Sequence, residues 1–238
     1  VTTTSSKSQF LHGLRTGLPF ILVAGPFSLL FGVVATEAGL NLLEVMGFTS
    51  IVIAGAAQFA ALQQMSDNAP VIVILATALA VNLRMAMYSA ALAPHIGKAP
   101  LWQRALASFF LFDQNYAVGV LEFEKRPDMT PQEKIAFYFG ITCAIVPAWI
   151  TGTYIGAVVG TAIPPEYALD FALPITFLSM IGPVLRTPAH IAAAFVSVLA
   201  ALIFAFLPYN LGLMVAAVLA MMTGAQVETW LIARGKWS

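Results

Sequence analysis

Asn82 and Arg84 lie inside the apolar run Val71 to Leu92, and Asp113, Gln114 and Asn115 lie inside the next one, Leu101 to Leu121. Both runs are long enough to cross a bilayer, which takes about 20 apolar residues. An arginine or aspartate at hydrocarbon depth costs about 2.5–3.5 kcal/mol on the insertion scale, so each is expected to face a partner or a wet pathway. At a rise of about 1.5 Å per helical residue, Arg84 sits about 12 Å from the Leu92 end of its run and Asp113 about 18 Å from Leu101. Those ends face the same side, so the two groups differ in depth by about 6 Å, within an arginine's reach. Two kinds of chemistry are open to such a pair: a fixed lock between helices, or an ion or substrate relay that breaks and re-forms. Asp113, the carboxylate of the cluster, is the candidate proton carrier.

Other polar residues buried in apolar runs are Gln58, Thr176, Gln226 and Glu228. Glu228 falls near a membrane face and reads as structural. Gln58 closes the small-residue run Ala54-Gly55-Ala56-Ala57-Gln58-Phe59. Such a run allows either local unwinding, which exposes the amide to a solute, or close helix packing with Gln58 bonded to a neighbour. No hydrolase elbow, phosphate loop with lysine, or zinc-protease helix motif occurs. His12, His95 and His190 fall at segment edges and read as interfacial residues. Neither an enzyme, a metal site nor a cofactor is expected.

The elements that must hold these residues are membrane helices. The 238 residues are 60% hydrophobic and 9% charged, against about 25% charged in soluble domains. Eleven basic and eleven acidic residues balance, so nothing points to nucleic acid. One cysteine excludes an internal disulfide. The polar stretch Val1 to Gln9 leads into an apolar run too long and too proline-broken for a signal peptide. Eight apolar segments follow: Gly17–Thr36, Met46–Met65, Val71–Leu92, Leu101–Leu121, Lys134–Gly160, Tyr167–Leu185, Ala189–Leu207 and Leu211–Ala233. The fold class is therefore an all-α integral membrane bundle, one domain over residues 1–238. Six to eight segments would span, the second and sixth being candidates for re-entrant ones.

The excess of Lys and Arg puts the N-terminus on the cytoplasmic side. If all eight segments span, Lys98 and Arg104 lie outside and the other loop cations inside; if the second and sixth are re-entrant, Lys125, Arg126 and Lys134 lie outside instead. Gly25-Pro26, Pro147, Pro174 and Gly182-Pro183 predict interruptions. A shift of 121 residues puts Pro26 on Pro147 and Gly39 on Gly160, a weak internal two-fold repeat of 13–121 and 134–233. Paired interruptions in two halves point to a transporter's binding site. Small residues at spacings of three and four line the first, fifth and eighth segments, as in Gly25, Ser28, Gly32 and Gly152, Gly156, Gly160. They predict close helix packing within the chain more than a partner surface.

Across nearly its whole length the chain resembles the AzlC/YgaZ family, the large subunits of branched-chain amino-acid exporters associated with azaleucine resistance. The marks are Phe31-Gly32 with Gly39-Leu40, Gly55-Ala56-Ala57-Gln58-Phe59, Asn82-Leu83-Arg84, the Asp113 patch, and Leu169-Asp170-Phe171-Ala172-Leu173-Pro174. The chain departs from the family pattern at Met85, where a histidine is usual, and at Gln114, where a glutamate is usual. The resemblance implies a bacterial inner-membrane exporter of valine, leucine, isoleucine or other hydrophobic amino acids. It also implies a small AzlD/YgaH-type membrane subunit as partner. A zwitterion needs a cation or a helix N-terminus for its carboxylate, which Arg84 or a broken-helix end could supply. It also needs an acceptor for its ammonium, from Asp113 or Gln58. The candidate substrate-binding residues are Gln58, Phe59, Asn82, Arg84, Asp113, Asn115, Thr176 and Phe177, with Phe59 and Phe177 walling the side chain. A channel or passive facilitator, with Arg84 and Asp113 lining a pore or fixing helices, is the alternative.

Overall fold

The computed structural model describes residues 6–161, 185, 187–208 and 211–234, and every regular element among them is helical. Helix α1 (Ser6–Gly17) passes through a 3-10 turn at Leu18–Phe20 into α2 (Ile21–Glu37). Then come α3 (Leu42–Ile51), α4 (Gly55–Ser66), α5 (Val71–Ile96), α6 (Leu101–Phe109), α7 (Asp113–Lys125) and α8 (Pro131–Gly160). Last are α9 (Pro188–Ile203) and α10 (Leu211–Ala233). Among the described residues, Ser6–Glu37, Val71–Ile96, Pro131–Gly160 and Leu211–Ala233 are long and apolar enough to cross a membrane. The sixth predicted segment, with Pro174, Thr176, Phe177 and Gly182-Pro183, lies outside the described residues apart from Leu185.

Helix ends are set by local chemistry. Asn41 and Glu44 form a reciprocal capping box at the start of α3, and Thr130 and Glu133 do the same before Pro131 of α8. Gly39, at φ 90°, reverses the chain after α2, with Leu40 N–H bonded to Ala35 O at 3.1 Å; a residue with a Cβ is strained there.

The chain divides into two compact units, residues 1–62 with 81–168 and residues 63–80 with 169–238. In the second unit α9 and α10 run antiparallel: Gly212 lies on the Phe204 carbonyl and Gly224 on Ala193.

The first unit is built on a parallel seam between α1–α2 and α8. Gly13 lies against Phe137, Gly17 against Ile141 and Ala144, Gly32 against Thr153 and Ala157, and Gly160 against Val33 and Thr36. Both numberings rise together, so the helices run in the same direction. A Cβ added at Gly32 or Gly156 would run into a backbone carbonyl of the facing helix, so these glycines set the interaxial distance. The small-residue stripes of the first and fifth segments therefore pack on each other. The interruptions predicted at Gly25-Pro26 and Pro147 do not occur: α2 continues through Pro26 and α8 through Pro147. A proline deletes one donor from the ladder and bends the axis, and the packed seam holds both helices together across that gap.

The breaks come elsewhere. The second segment leaves helical geometry at Val52–Ala54 and the fourth at Phe110–Phe112. In the fourth, Arg84 meets Asp113, Tyr88 stacks on Tyr116 and His95 packs on Phe123. α5 and α7 thus run parallel, and α6 between them must run back. α6–α7 is a re-entrant hairpin that enters beside the C-terminal end of α5 and returns to it. This corrects the expectation that Leu101–Leu121 spans: α6 has only 9 residues, about 14 Å of rise. It also corrects both sidedness schemes, which put Lys98 and Lys134 on opposite faces. Lys134 Nζ lies 3.4 Å from His95 Nδ1, so the loop carrying Lys98 and the start of α8 share one end.

α3–α4 makes the converse excursion from the other end. Phe48 and Phe59 both meet Phe31, while Gly55 between them lies against Phe27 and Trp149, a turn farther from the Glu37 end of α2. By Phe59 the chain is retracing its path.

Candidate functional site

The tip of the α6–α7 hairpin is assembled from groups that a broken helix leaves over. Within a membrane, freed backbone groups must be satisfied internally. The Tyr138 hydroxyl of α8 donates to the carbonyl oxygens of Ala107 at 2.7 Å and Phe110 at 3.1 Å. Asn115, fully buried, accepts from the Phe112 N–H at 3.0 Å and donates from Nδ2 to the Phe110 carbonyl. Asp113 opens α7, where the helix dipole favours a carboxylate. Its Oδ2 lies 3.1 Å from Arg84 Nη1. The Tyr88 and Tyr116 rings stack beside the pair at 4.0 Å between centroids. The Arg84 and Asp113 side chains are 32% and 43% exposed, so the pair is reachable from outside the protein core. Asp113 Oδ1, Arg84 Nε and Asn82 Oδ1 are shielded atoms without hydrogen-bond partners among the described residues.

The α3–α4 tip has a different finish. Thr49, fully buried on α3, accepts from the Trp149 indole N–H at 2.8 Å and lies 3.2 Å from Thr153 Oγ1. These bonds tie α3 to α8 just before the break. Gly55 starts α4 where a Cβ would strike the Phe27 and Trp149 rings; its lack of a side chain lets the aromatic pair cover the helix end. Phe59 is buried, edge-on to Phe27 at 4.9 Å and to Phe31 at 5.4 Å. Gln58 is fully buried, and neither its Oε1 nor its Nε2 has a hydrogen-bond partner among the described residues.

The two tips reach similar depth. From Lys134 to Trp149, which marks the α3–α4 tip, α8 rises about 22 Å; from His95 to Arg84, which marks the α6–α7 tip, α5 covers about 16 Å. His95 and Lys134 share a level. Both tips therefore lie near mid-membrane, about 6 Å apart along the axis.

Of the sequence candidates, Arg84 and Asp113 are brought into direct contact. Gln58 and Phe59 lie together in the first turns of α4, and Asn82 two residues before Arg84 on α5. Both ends of the Asn115 amide are engaged by backbone. Thr176 and Phe177 fall outside the described residues. Sequence reasoning passed over Tyr88 and Tyr116, although spacings of four from Arg84 and three from Asp113 put them on the paired faces. It also missed Tyr138, Thr49 and Trp149, which carry no charge to draw notice. Among the described residues no three His, Cys, Asp or Glu side chains converge on a metal-sized site. What the site offers is an accessible ion pair, two helix N-termini and a buried amide, groups suited to binding and releasing a small polar head.

Residues 19–163, which include both hairpins, match the family model described as AzlC protein. The chain is 26% identical to "Inner membrane protein YgaZ" of Escherichia coli over 74% of this chain and 73% of that one. It is 28% identical to an "Uncharacterized membrane protein" of Archaeoglobus fulgidus, covering 80% and 82%, and 24% identical to another of Helicobacter pylori, covering 65% and 64%. No solved structure gives a significant match. With more than half its length in the family model and both broken-helix tips inside that match, the chain belongs to the AzlC family of membrane proteins.

Proposed function

We propose that this protein is a secondary transporter that exports branched-chain or other hydrophobic amino acids across a bacterial plasma membrane. The export is coupled to protons and carried out with a small AzlD-type membrane subunit. The observation that carries this reading is the Arg84–Asp113 pair at the tip of a re-entrant hairpin. A charge pair at mid-membrane is expensive to keep merely as a fastener, and this one is partly exposed. Protonation of Asp113 removes the charge that holds Arg84, so the α7 tip can part from α5. Loss of the proton restores the pair. A cycle of this kind couples proton movement to opening of one end of the site. Met85 and Gln114 contribute no titrating groups beside it, which leaves Asp113 as the carrier.

Orientation follows from the shared end. Lys7, Arg15, Lys98, Arg104, Lys125, Arg126 and Lys134 all belong to loops or helix ends on the side marked by the Lys134–His95 contact. The Lys/Arg rule assigns that side, with the N-terminus, to the cytoplasm. The glycine stripes of α2 and α8 are occupied by each other, so the small subunit would dock on another face.

Leucine efflux from proteoliposomes tests the reading. Asp113→Asn and Arg84→Ala are each expected to lower proton-driven export at least tenfold; full export by both variants would remove the relay. The exposure of the pair also fits a pore lining. Counterflow under an imposed pH gradient separates the readings: a passive facilitator cannot run uphill.

A further inference from the structure

We infer that the N-terminal turn of α4, with Gln58, is the subsite that holds the amino and carboxylate groups of the transported amino acid. This rests on the transport reading above and assigns its substrate head to one of the two tips. A helix leaves its first N–H groups without intrahelical acceptors. In α4 these belong to Gly55, Ala56 and Ala57, the first ladder bond being Gln58 N–H to Ala54 O at 2.9 Å. None of these three side chains carries an oxygen that could cap the turn. α7, by contrast, begins on its own carboxylate, Asp113. Arg84, the other candidate for a substrate carboxylate, is already engaged by Asp113.

The second observation is Gln58 itself. It is fully buried, and its Oε1 and Nε2 both lack partners among the described residues. Helical side chains lean toward the N-terminus of their helix, which directs the Gln58 side chain toward the open turn. A buried amide with an empty donor and an empty acceptor calls for a ligand that presents one of each. An α-amino acid does so: the carboxylate accepts from Nε2 and the α4 N–H groups, and the ammonium donates to Oε1. A simple anion or cation would fill only one side. Phe27, Phe59 and Trp149 around Gly55 supply an apolar wall for the side chain. Gln58 is sealed here, so this conformation corresponds to a closed subsite that must open to load.

The test is equilibrium binding to the purified full chain in lipid nanodiscs. The ligands are L-leucine, L-leucinamide, which lacks the carboxylate charge, and 4-methylpentanoate, which lacks the amine. The wild type should bind leucine at least tenfold more tightly than either analogue. Gln58→Met, similar in length but without the amide, should lose about tenfold or more in leucine affinity and most of the discrimination. Gln58→Glu, which sets a charge against the carboxylate, should reject leucine and retain leucinamide. Equal wild-type affinities for leucine and leucinamide would overturn the assignment even if neither Gln58 variant folds. Wild-type leucine affinity and discrimination in Gln58→Met would overturn it while leaving the transport reading intact. No binding of leucine, isoleucine or valine by the wild type would sink both.

Discussion

At the α6–α7 tip, the backbone groups freed by the break are taken up by side chains: Asn115 holds the Phe112 N–H and Phe110 carbonyl, and Tyr138 holds the Ala107 and Phe110 carbonyls. At the α3–α4 tip, nearby anchors at Thr49 and Trp149 are satisfied, yet the amide of Gln58 has neither donor nor acceptor engaged among the described residues. The two hairpins enter from opposite ends and reach similar depth, so burial alone does not explain the contrast. What differs is purpose. A tip whose backbone is internally closed is a positioned scaffold, and here it presents a charge pair that can be switched. A tip that is closed by aromatic packing but open in hydrogen bonding is a place where something else completes the set. Removing the buried amide should therefore have opposite consequences at Asn115 and at Gln58.

The largest effect is expected at Asn115. Asn115→Leu removes both backbone bonds of a fully buried side chain and leaves the Phe112 N–H, also buried, without its acceptor. The expected loss is about 2–3 kcal/mol, read as a lower midpoint in thermal or denaturant unfolding of the detergent-solubilised protein. Tyr138→Phe should be non-additive with it, because both side chains share the Phe110 carbonyl. A midpoint unchanged by Asn115→Leu would mean that the α6–α7 tip is not held by these bonds.

A smaller effect is expected at Thr49, the satisfied anchor of the other hairpin. Thr49→Val keeps the shape but leaves the Trp149 indole N–H without its acceptor. Buried side-chain bonds between membrane helices contribute about 0.6 kcal/mol on average, and up to about 1.7. The midpoint should therefore fall by less than for Asn115→Leu. Trp149 fluorescence, which reports on the indole's surroundings, should shift in the same variant. An effect larger than that of Asn115→Leu would reverse the ranking of the two tips.

How much of this was legible beforehand depends on where the signal lay. Arg84 and Asp113 were conspicuous because a charge inside an apolar run has few explanations, and depth arithmetic paired them correctly. It did so although it treated Leu101–Leu121 as a straight span. Asp113 lies beyond the far end of α6 from Leu101 whichever way the chain then turns, so the pairing survived the wrong route. The positions of the breaks were not legible. Proline was the available signal, and it pointed to Pro26 and Pro147, inside helices that continue. The actual breaks, at Val52–Ala54 and Phe110–Phe112, contain no proline. At the second, freed backbone groups find acceptors and donors in Asn115 and Tyr138, the latter brought in by α8 rather than by local sequence. The glycine stripes were legible because their spacing encodes a close approach directly, and their mates turned out to be each other.

The smallest expected change in stability, and the one most diagnostic of the contrast, is at Gln58. Gln58→Met removes the same kind of group as Asn115→Leu, at the same full burial, but breaks no hydrogen bond among the described residues. An unpartnered buried amide carries a desolvation penalty with nothing returned. Replacing it by an apolar side chain of similar length should leave stability unchanged or raise it by about 1 kcal/mol. In the same unfolding assay the ligand-free variant should melt at or above the wild type, while added leucine should raise the midpoint of the wild type more than that of the variant. A drop comparable to that of Asn115→Leu would show that Gln58 is a structural amide like Asn115. A preserved midpoint with a lost leucine response would show a group kept at a cost to the free protein because the loaded one uses it.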